Sequence, residues 1–218
     1  MIGAAKAFLK RRWPALRLRE ILLTVLLFAA AMPAIEAVWL RGYENTLVRQ
    51  SETELIAQGA ALSASASALW PGSTPAPSAA LIHDAGYYQP ETSTVDLNTT
   101  PVLPERPAAR PAGHAPDPAA VVAAARVGPI IDQTVRTTLA AVVMLDRKGI
   151  VVRGVGSGGD YSRLPEIRSA LNGEPLTVLR RNGAYHPRYS LEWLSRASAV
   201  RLHYARRRFW FIVTGHSG

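Results

Sequence analysis

The sequence ILLTVLLFAAAMPAIEAVWL, which occupies Ile21–Leu40, decides the fold. Its twenty mostly apolar residues, at a helical rise of about 1.5 Å each, match a bilayer hydrocarbon core of about 30 Å. Pro33 has no amide proton and is expected to kink the helix, whereas Glu36 lies near its end, within reach of headgroups. We predict an uncleaved transmembrane helix over residues 21–40; a cleaved signal peptide and a buried soluble helix are the alternatives.

The charges on either side of this stretch predict its orientation. The chain has a net charge of +9, and six basic residues precede the stretch: Lys6, Lys10, Arg11, Arg12, Arg17 and Arg19. Residues 41–55, which follow it, carry two arginines against three glutamates. Basic residues stay on the cytoplasmic side of a membrane, so residues 1–20 are predicted to be a cytoplasmic tail and the bulk of the chain extracytoplasmic. Since the excess charge lies at this end, nucleic-acid binding is not expected.

Residues 41–70 are predicted to continue as a membrane-proximal long helix. No proline occurs between Glu44 and Leu69. Apolar residues recur every seven positions at Val48, Leu55, Leu62 and Leu69. Such a stripe indicates either a helix packed on its own sheet or a seam between two protomers of a homodimer, and a dimer can contain both.

Residues 71–118 form a proline-rich excursion that contains ten of the sixteen prolines. So many prolines exclude a regular helix, and a disordered linker is one interpretation. Apolar residues spaced through the segment favour an ordered surface excursion: Tyr87, Tyr88, Val95, Leu97, Val102 and Leu103.

Residues 119–205 alternate between helical and strand patterns. Asp117-Pro118 is a helix start, and the helix Ala119–Leu139 is predicted to break near Gly128-Pro129. Two β-branched runs within Ala141–Val155, joined by a turn at Gly149, predict a hairpin. A short helix is expected at Leu164–Leu171, and further strands at Leu176–Arg181, Arg188–Leu194 and Ala199–Ala205. This order indicates an α+β fold with an antiparallel sheet.

Several of these segments resemble one family. YENTLVRQSETELIAQGAAL (Tyr43–Leu62), directly after a membrane helix, resembles the start of the periplasmic sensor region in a group of bacterial two-component sensor histidine kinases. The same region is resembled by Val95–Pro107, VMLDRKGIVV (Val143–Val152), LPEIRSALNGEPLTVLRR (Leu164–Arg181) and SRASAVRLHYA (Ser195–Ala205). The resemblance implies a PAS/Cache-like sensor core at 119–205, with a long helix packed on the sheet, in a bacterial inner membrane protein whose bulk is periplasmic.

The chain departs from that family at its C-terminal end. In the family the sheet is followed by a second membrane helix, a HAMP linker, a phosphoacceptor helix and an ATP-binding domain. Here residues 206–218 read as an atypical basic and apolar tail. Its three arginines at 206–208 are expected to be an unstructured tail, with binding to phosphates or lipid headgroups as the alternatives. A truncated or frameshifted gene would explain this end.

Catalytic and cofactor motifs are missing from the sequence. None of the five histidines has the phosphoacceptor pattern, and they are too dispersed to ligate a metal. The loop Gly156–Gly159 lacks the lysine of a phosphate-binding loop. We therefore expect no enzyme activity, no metal and no cofactor.

Recognition is the remaining function that the sequence suggests. Four polar residues are candidates for a ligand pocket between the sheet and the short helix, although each has the alternative of being an exposed strand residue: Arg153, Tyr161, Arg180 and Tyr189. The expected function is a signal-sensing input module without the catalytic domains. The alternative is a membrane-anchored structural or protein-interaction domain with no small-molecule ligand. The expected partners are membrane lipid, a second copy of the chain and a small-molecule or protein signal.

Overall fold

The computed structural model of the chain describes residues 17–73, 91–186, 196–206 and 210–214. The chain divides into two compact units, Met1–Gly42 and Tyr43–Gly218. The described helices are α1 (Leu18–Ala68), α2 (Pro118–Thr138) and α3 (Pro165–Asn172). The described strands are β1 (Val102–Leu103), β2 (Arg110–Pro111), β3 (Ala141–Leu145), β4 (Val151–Arg153), β5 (Gly159–Asp160), β6 (Leu176–Arg181), β7 (Val200–Arg206) and β8 (Trp210–Thr214). The fold is therefore mixed α+β, as the sequence predicts.

The first unit contains the apolar part of α1. An 18-residue window of this helix has a mean hydropathy of 2.2, and none of the window is buried. The helix continues through Pro33 and runs for 51 residues in all. It is long and apolar enough to cross a membrane, which agrees with the predicted span and with its predicted continuation into residues 41–70.

The second unit is built on a mostly antiparallel sheet. Within the described residues, six strands lie in the order β1-β6-β7-β8-β3-β4, and β2 pairs with β5 separately. Only the β1–β6 pair among these six is parallel. The predicted hairpin is confirmed as β3 and β4, and the predicted strand Leu176–Arg181 coincides with β6. The prediction at Arg188–Leu194 lies outside the described residues.

One face of the sheet packs against α1 and α2. The shared core contains the α1 side chains Leu55 and Leu62, Val127 of α2, and the strand residues Leu179 and Leu202. These five side chains are all less than 7% exposed. Burial of this kind stabilises a fold by about 25 cal/mol for each Å² of apolar surface removed from water.

Helix α2 corrects one prediction. Its first turn is capped as expected, since the Oδ1 atom of Asp117 accepts the Ala119 N–H at 2.9 Å. The predicted break near Gly128-Pro129 is wrong, because the helix runs unbroken to Thr138. Both Val127 and Ile131 are buried against the sheet, and this packing offsets the roughly 3 kcal/mol that an internal proline costs a helix.

The opposite face of the sheet packs against α3. Ile167 and Ala170 of this helix cluster with Val143, Leu145 and Ala205 of the strands. Gly173 ends α3 at a φ of 104°, a left-handed conformation that favours glycine at a helix C-terminus. The predicted short helix is thus confirmed, and it covers the face on which the ligand pocket was expected.

The C-terminal residues also differ from the prediction. Arg206 belongs to β7, and β8 lies between β3 and β7 in the sheet. Arg206 is therefore part of a strand rather than of an unstructured tail, and residues 210–214 of the atypical tail form a regular strand. Five apolar or β-branched residues are too few to span a bilayer but match the usual length of a strand, and two neighbouring strands satisfy their backbone groups.

Candidate functional site

The predicted ligand residues lie on different sides of the sheet. Arg153 of β4 is directed toward α2, where its guanidinium lies against Gly128. Tyr161 belongs to the apolar cluster under α3, and Arg180 bonds to Glu166 of α3. Tyr189 lies outside the described residues. Of the three predicted residues that the structure describes, Tyr161 and Arg180 lie on one face and Arg153 lies on the other.

Arg180 is held by a buried ion pair with Glu166. Its Nε and Nη2 atoms donate to the two carboxylate oxygens at 3.0 and 2.9 Å. Its Nη1 atom donates to the Pro104 carbonyl at 3.1 Å. The side chains of Arg180 and Glu166 are 5% and 0% exposed. This forked geometry uses both edges of the guanidinium for structure, so Arg180 has little donor capacity left for a ligand.

Arg153 forms a more exposed pair. Its Nη2 atom lies 2.8 Å from both carboxylate oxygens of Asp132, and the two side chains are 34% and 52% exposed. The pair stands at a groove of about 640 Å³ between α2 and the β3–β4 hairpin. The groove walls are mainly apolar, with Val135 and Val142 among them. Surface pairs of this type contribute little to stability.

Three arginines and a histidine lie on the α3 face around β6 and β7. Side chains alternate along a strand, so Arg201 and His203 share the face of Ala205, which packs under α3. Arg201 is the direct cross-strand partner of Arg180. Arg106 reaches the same face, with its guanidinium carbon 5.3 Å from the centroid of the Tyr161 ring. Together with Glu166, we call Arg106, Arg180, Arg201 and His203 the α3-face cluster.

The positive charge of this cluster affects the pKa of His203. Burial, followed by the charges of Arg106, Arg180 and Arg201, lowers the pKa of His203 from 6.5 to about 3. The imidazole is only 4% exposed and is therefore neutral at physiological pH. The cluster then contains three guanidinium cations and one carboxylate, which leaves it net positive.

Two donors of the cluster lack hydrogen-bond partners. The Nη1 atom of Arg106 and the Nε atom of Arg201 are buried, and neither meets an acceptor in the described structure. Buried donors are rarely left in this state, because losing their hydrogen bonds to water destabilises the fold. These two arginines and His203 were missed at the sequence level. The alternation of Arg201, His203 and Ala205 with Leu202 and Tyr204 was the available signal.

A second groove lies at the end of the β6–β7 pair. It has a volume of about 460 Å³, and its polar lining includes Arg181, Asn182 and Arg196. The Arg196 N–H donates to the Glu44 carboxylate of α1 at 3.3 Å, and its Nη1 atom donates to the Leu97 carbonyl at 3.3 Å. The groove is thus linked by hydrogen bonds to the first turns of α1 in the second unit.

Polar side chains of α1 hold part of the proline-rich excursion. Buried Glu52 accepts the N–H groups of Thr94 and Val95 at 3.1 and 3.0 Å and also the hydroxyl of Ser93. Asn45 accepts the Leu97 N–H at 3.1 Å. Val95 and Leu97 are buried in the core, as an ordered excursion predicts. Tyr87 and Tyr88 lie outside the described residues.

The side chains of the predicted dimer seam are buried in the core of the single chain. Val48, Leu55 and Leu62 are 7%, 3% and 2% exposed, and Leu69 packs against the same cluster. These side chains follow the first of the two interpretations, a helix packed on its own sheet. A seam on α1 would therefore have to use other side chains.

Comparisons with known proteins add no relative. No protein-family model matches the chain, no curated protein matches it, and no solved structure matches it. Among the described residues, no group of three or more His, Asp or Glu side chains is placed to hold a metal ion.

Proposed function

We propose that this chain is the extracytoplasmic signal-sensing input module of a bacterial two-component histidine kinase, with a PAS/Cache-like fold. One observation carries the proposal. A single 51-residue helix is apolar and exposed in the first unit, and it supplies core side chains to an α+β domain in the second. Small shifts of a helix are one of the ways in which proteins transmit a conformational change.

Three contacts join α1 to the parts of the domain that surround the candidate sites. Glu44 binds the backbone of Arg196 at the second groove, and Glu52 binds residues 93–95 of the excursion. Gly59 approaches the ring of Tyr204 on β7 so closely that an added Cβ would lie 2.6 Å from it. A ligand that displaces β7 or the excursion would therefore act directly on α1.

The membrane part of the proposal is tested with a reporter and a matched pair of variants. A periplasmic reporter enzyme fused after Gly218 is expected to be active outside the cytoplasm, with the chain in the membrane fraction. Leu26→Arg with Leu27→Arg should release the chain from the membrane, because central arginines each oppose insertion by about 2.5–3.5 kcal/mol.

The control is Val121→Arg with Val122→Arg, which alters two exposed apolar residues of α2. This pair should leave the chain in the membrane. A wild-type chain that fractionates as freely soluble, or a reporter that is active only in the cytoplasm, contradicts the proposal.

A membrane-anchored interaction domain without a small-molecule ligand is the second candidate. It is favoured by the two internal ion pairs, since Arg153 and Arg180 both have carboxylate partners within the chain. Thermal unfolding of the full chain in detergent, screened against small metabolites, separates the candidates. A sensor should gain stability by mass action with its ligand, whereas an interaction domain should be indifferent to all of them.

A further inference from the structure

We propose that Arg106 and Arg201 form a binding site for a small oxyanion on the α3 face of the sheet, beside His203. The ligand class is a carboxylate, phosphate or sulfate group whose oxygens accept the unpaired guanidinium N–H groups. The site itself depends only on the α3-face cluster. The further step, that this anion is the signal of the sensor, rests on the proposed function.

The first argument is the surplus of buried donors. Arg106 Nη1 and Arg201 Nε are out of contact with water and have no acceptor among the described residues. Both belong to guanidinium groups, which remain charged and can donate but cannot accept. An oxyanion supplies the acceptor that both atoms lack, and it does so with charge-assisted hydrogen bonds.

The second argument is the pairing of like charges across two strands. Arg180 and Arg201 are direct partners on β6 and β7, so their Cβ atoms lie about 4.5–5.5 Å apart. Their two positively charged guanidinium groups therefore repel each other. Glu166 neutralises Arg180 through two hydrogen bonds. Arg201 has no such carboxylate among the described residues, and a bound anion would restore the balance.

The third argument is that His203 is neutral and so supplies no charge to balance the arginines. A carboxylate at the position of His203 would have served as an internal counter-ion. The imidazole instead stays neutral, because burial, followed by the charges of the surrounding arginines, lowers its pKa to about 3. His203 therefore adds a polar ring without adding charge. The aromatic ring of Tyr161, which lies under Arg106, limits the site on one side.

Binding is tested on the full chain in detergent at constant ionic strength set with potassium chloride. Inorganic phosphate, sulfate and succinate are the probes, and calorimetry gives the affinity while tryptophan fluorescence gives the unfolding midpoint. Saturable one-to-one binding of at least one probe is expected, with a rise in the midpoint. The preferred probe shows whether the ligand carries a phosphate, sulfate or carboxylate group.

Arg201→Gln and Arg106→Gln should each weaken binding by about tenfold or more, the amount expected for the loss of one charge-assisted hydrogen bond. Arg181→Gln is the matched control, because this exposed arginine follows Arg180 on the same strand but points to the other face. It makes the same change in net charge and should leave the affinity within about twofold. Since Arg181 lines the second groove, a loss in this variant would place the anion there and overturn the proposal.

The unfolding midpoint without a probe distinguishes ligand binding from a structural role. Arg201→Gln removes a repulsive, unpaired charge, so it should unfold at the wild-type temperature or above it while losing the response to the anion. A lower midpoint combined with lost binding would mean that Arg201 serves the fold, and absence of saturable binding to any probe would also refute the site. Neither result bears on membrane insertion, which the reporter fusion measures separately.

Discussion

The two faces of the sheet differ in chemistry although the same strands form both. The face under α1 and α2 is apolar, with Leu179 and Leu202 from neighbouring strands packed on Leu55 and Leu62. The face under α3 has an apolar part but also contains the α3-face cluster with its buried ion pair. Apolar packing stabilises the domain without selecting a ligand, whereas buried charges are costly and are retained where they position or recognise something. The proposed anion site therefore lies under α3, and the proposed coupling to the membrane helix lies under α1.

The largest expected effect tests the charged face. Glu166→Gln leaves Arg180 buried without a counter-charge, and the free energy of unfolding should fall by about 3–5 kcal/mol. Urea unfolding of the full chain in detergent, followed by tryptophan fluorescence, measures this change. The double variant Glu166→Leu with Arg180→Met should be nearly neutral, because it removes both charges together. A loss below about 1 kcal/mol in Glu166→Gln would mean that the pair is solvated.

The next effect tests the apolar face. Gly59→Ala places a Cβ 2.6 Å from the ring of Tyr204 and should destabilise the domain by about 1–3 kcal/mol through overpacking. Gly113→Ala is the control, since a Cβ there would meet nothing within 4 Å. Thermal unfolding of both variants measures the difference. Equal midpoints for the two would show that α1 can move away from β7 at no cost.

A smaller effect comes from pH. Burial and the neighbouring arginines lower the pKa of His203 from its ordinary 6.5 to about 3 in the folded chain, so the unfolded chain takes up the proton first as the pH falls. The free energy of unfolding should therefore decrease below pH 6.5, by about 1.4 kcal/mol at pH 5.5. His203→Gln should remove this part of the slope, whereas His114→Gln, which changes an exposed histidine, should keep it. Identical slopes for both variants would contradict the assignment.

The smallest effect concerns the arginine on the apolar face. Arg153→Gln breaks an ion pair whose side chains are 34% and 52% exposed, and it should change stability by less than about 1 kcal/mol. The change should also shrink as salt is added, because salt screens exposed charges. Urea unfolding at low and high salt measures it. A loss comparable to that of Glu166→Gln would remove the distinction between the two arginines.

Local sequence patterns predicted the helices and strands of this fold more successfully than they predicted which elements and side chains contact one another. The seven-residue spacing from Val48 to Leu69 correctly predicted an amphipathic helix, and Gly149 and Gly173 correctly marked a turn and a helix end. The same spacing left open what the stripe packs against. For the candidate site, Arg180 was found but Glu166 was not, because the two are 14 residues apart and meet only when α3 folds onto β6.

By itself, the sequence determined an apolar N-terminal helix, a long helix after it, and an α+β domain built around a hairpin and a short helix. Each of these depends on periodicity or composition over a few neighbouring residues. Only the tertiary structure decided that β8 enters the sheet, that α2 passes its proline unbroken, and that Arg153 and Arg180 lie on opposite faces. The physical reason is that strand order, helix packing and charge pairing depend on contacts between residues far apart in the chain, which no local pattern contains.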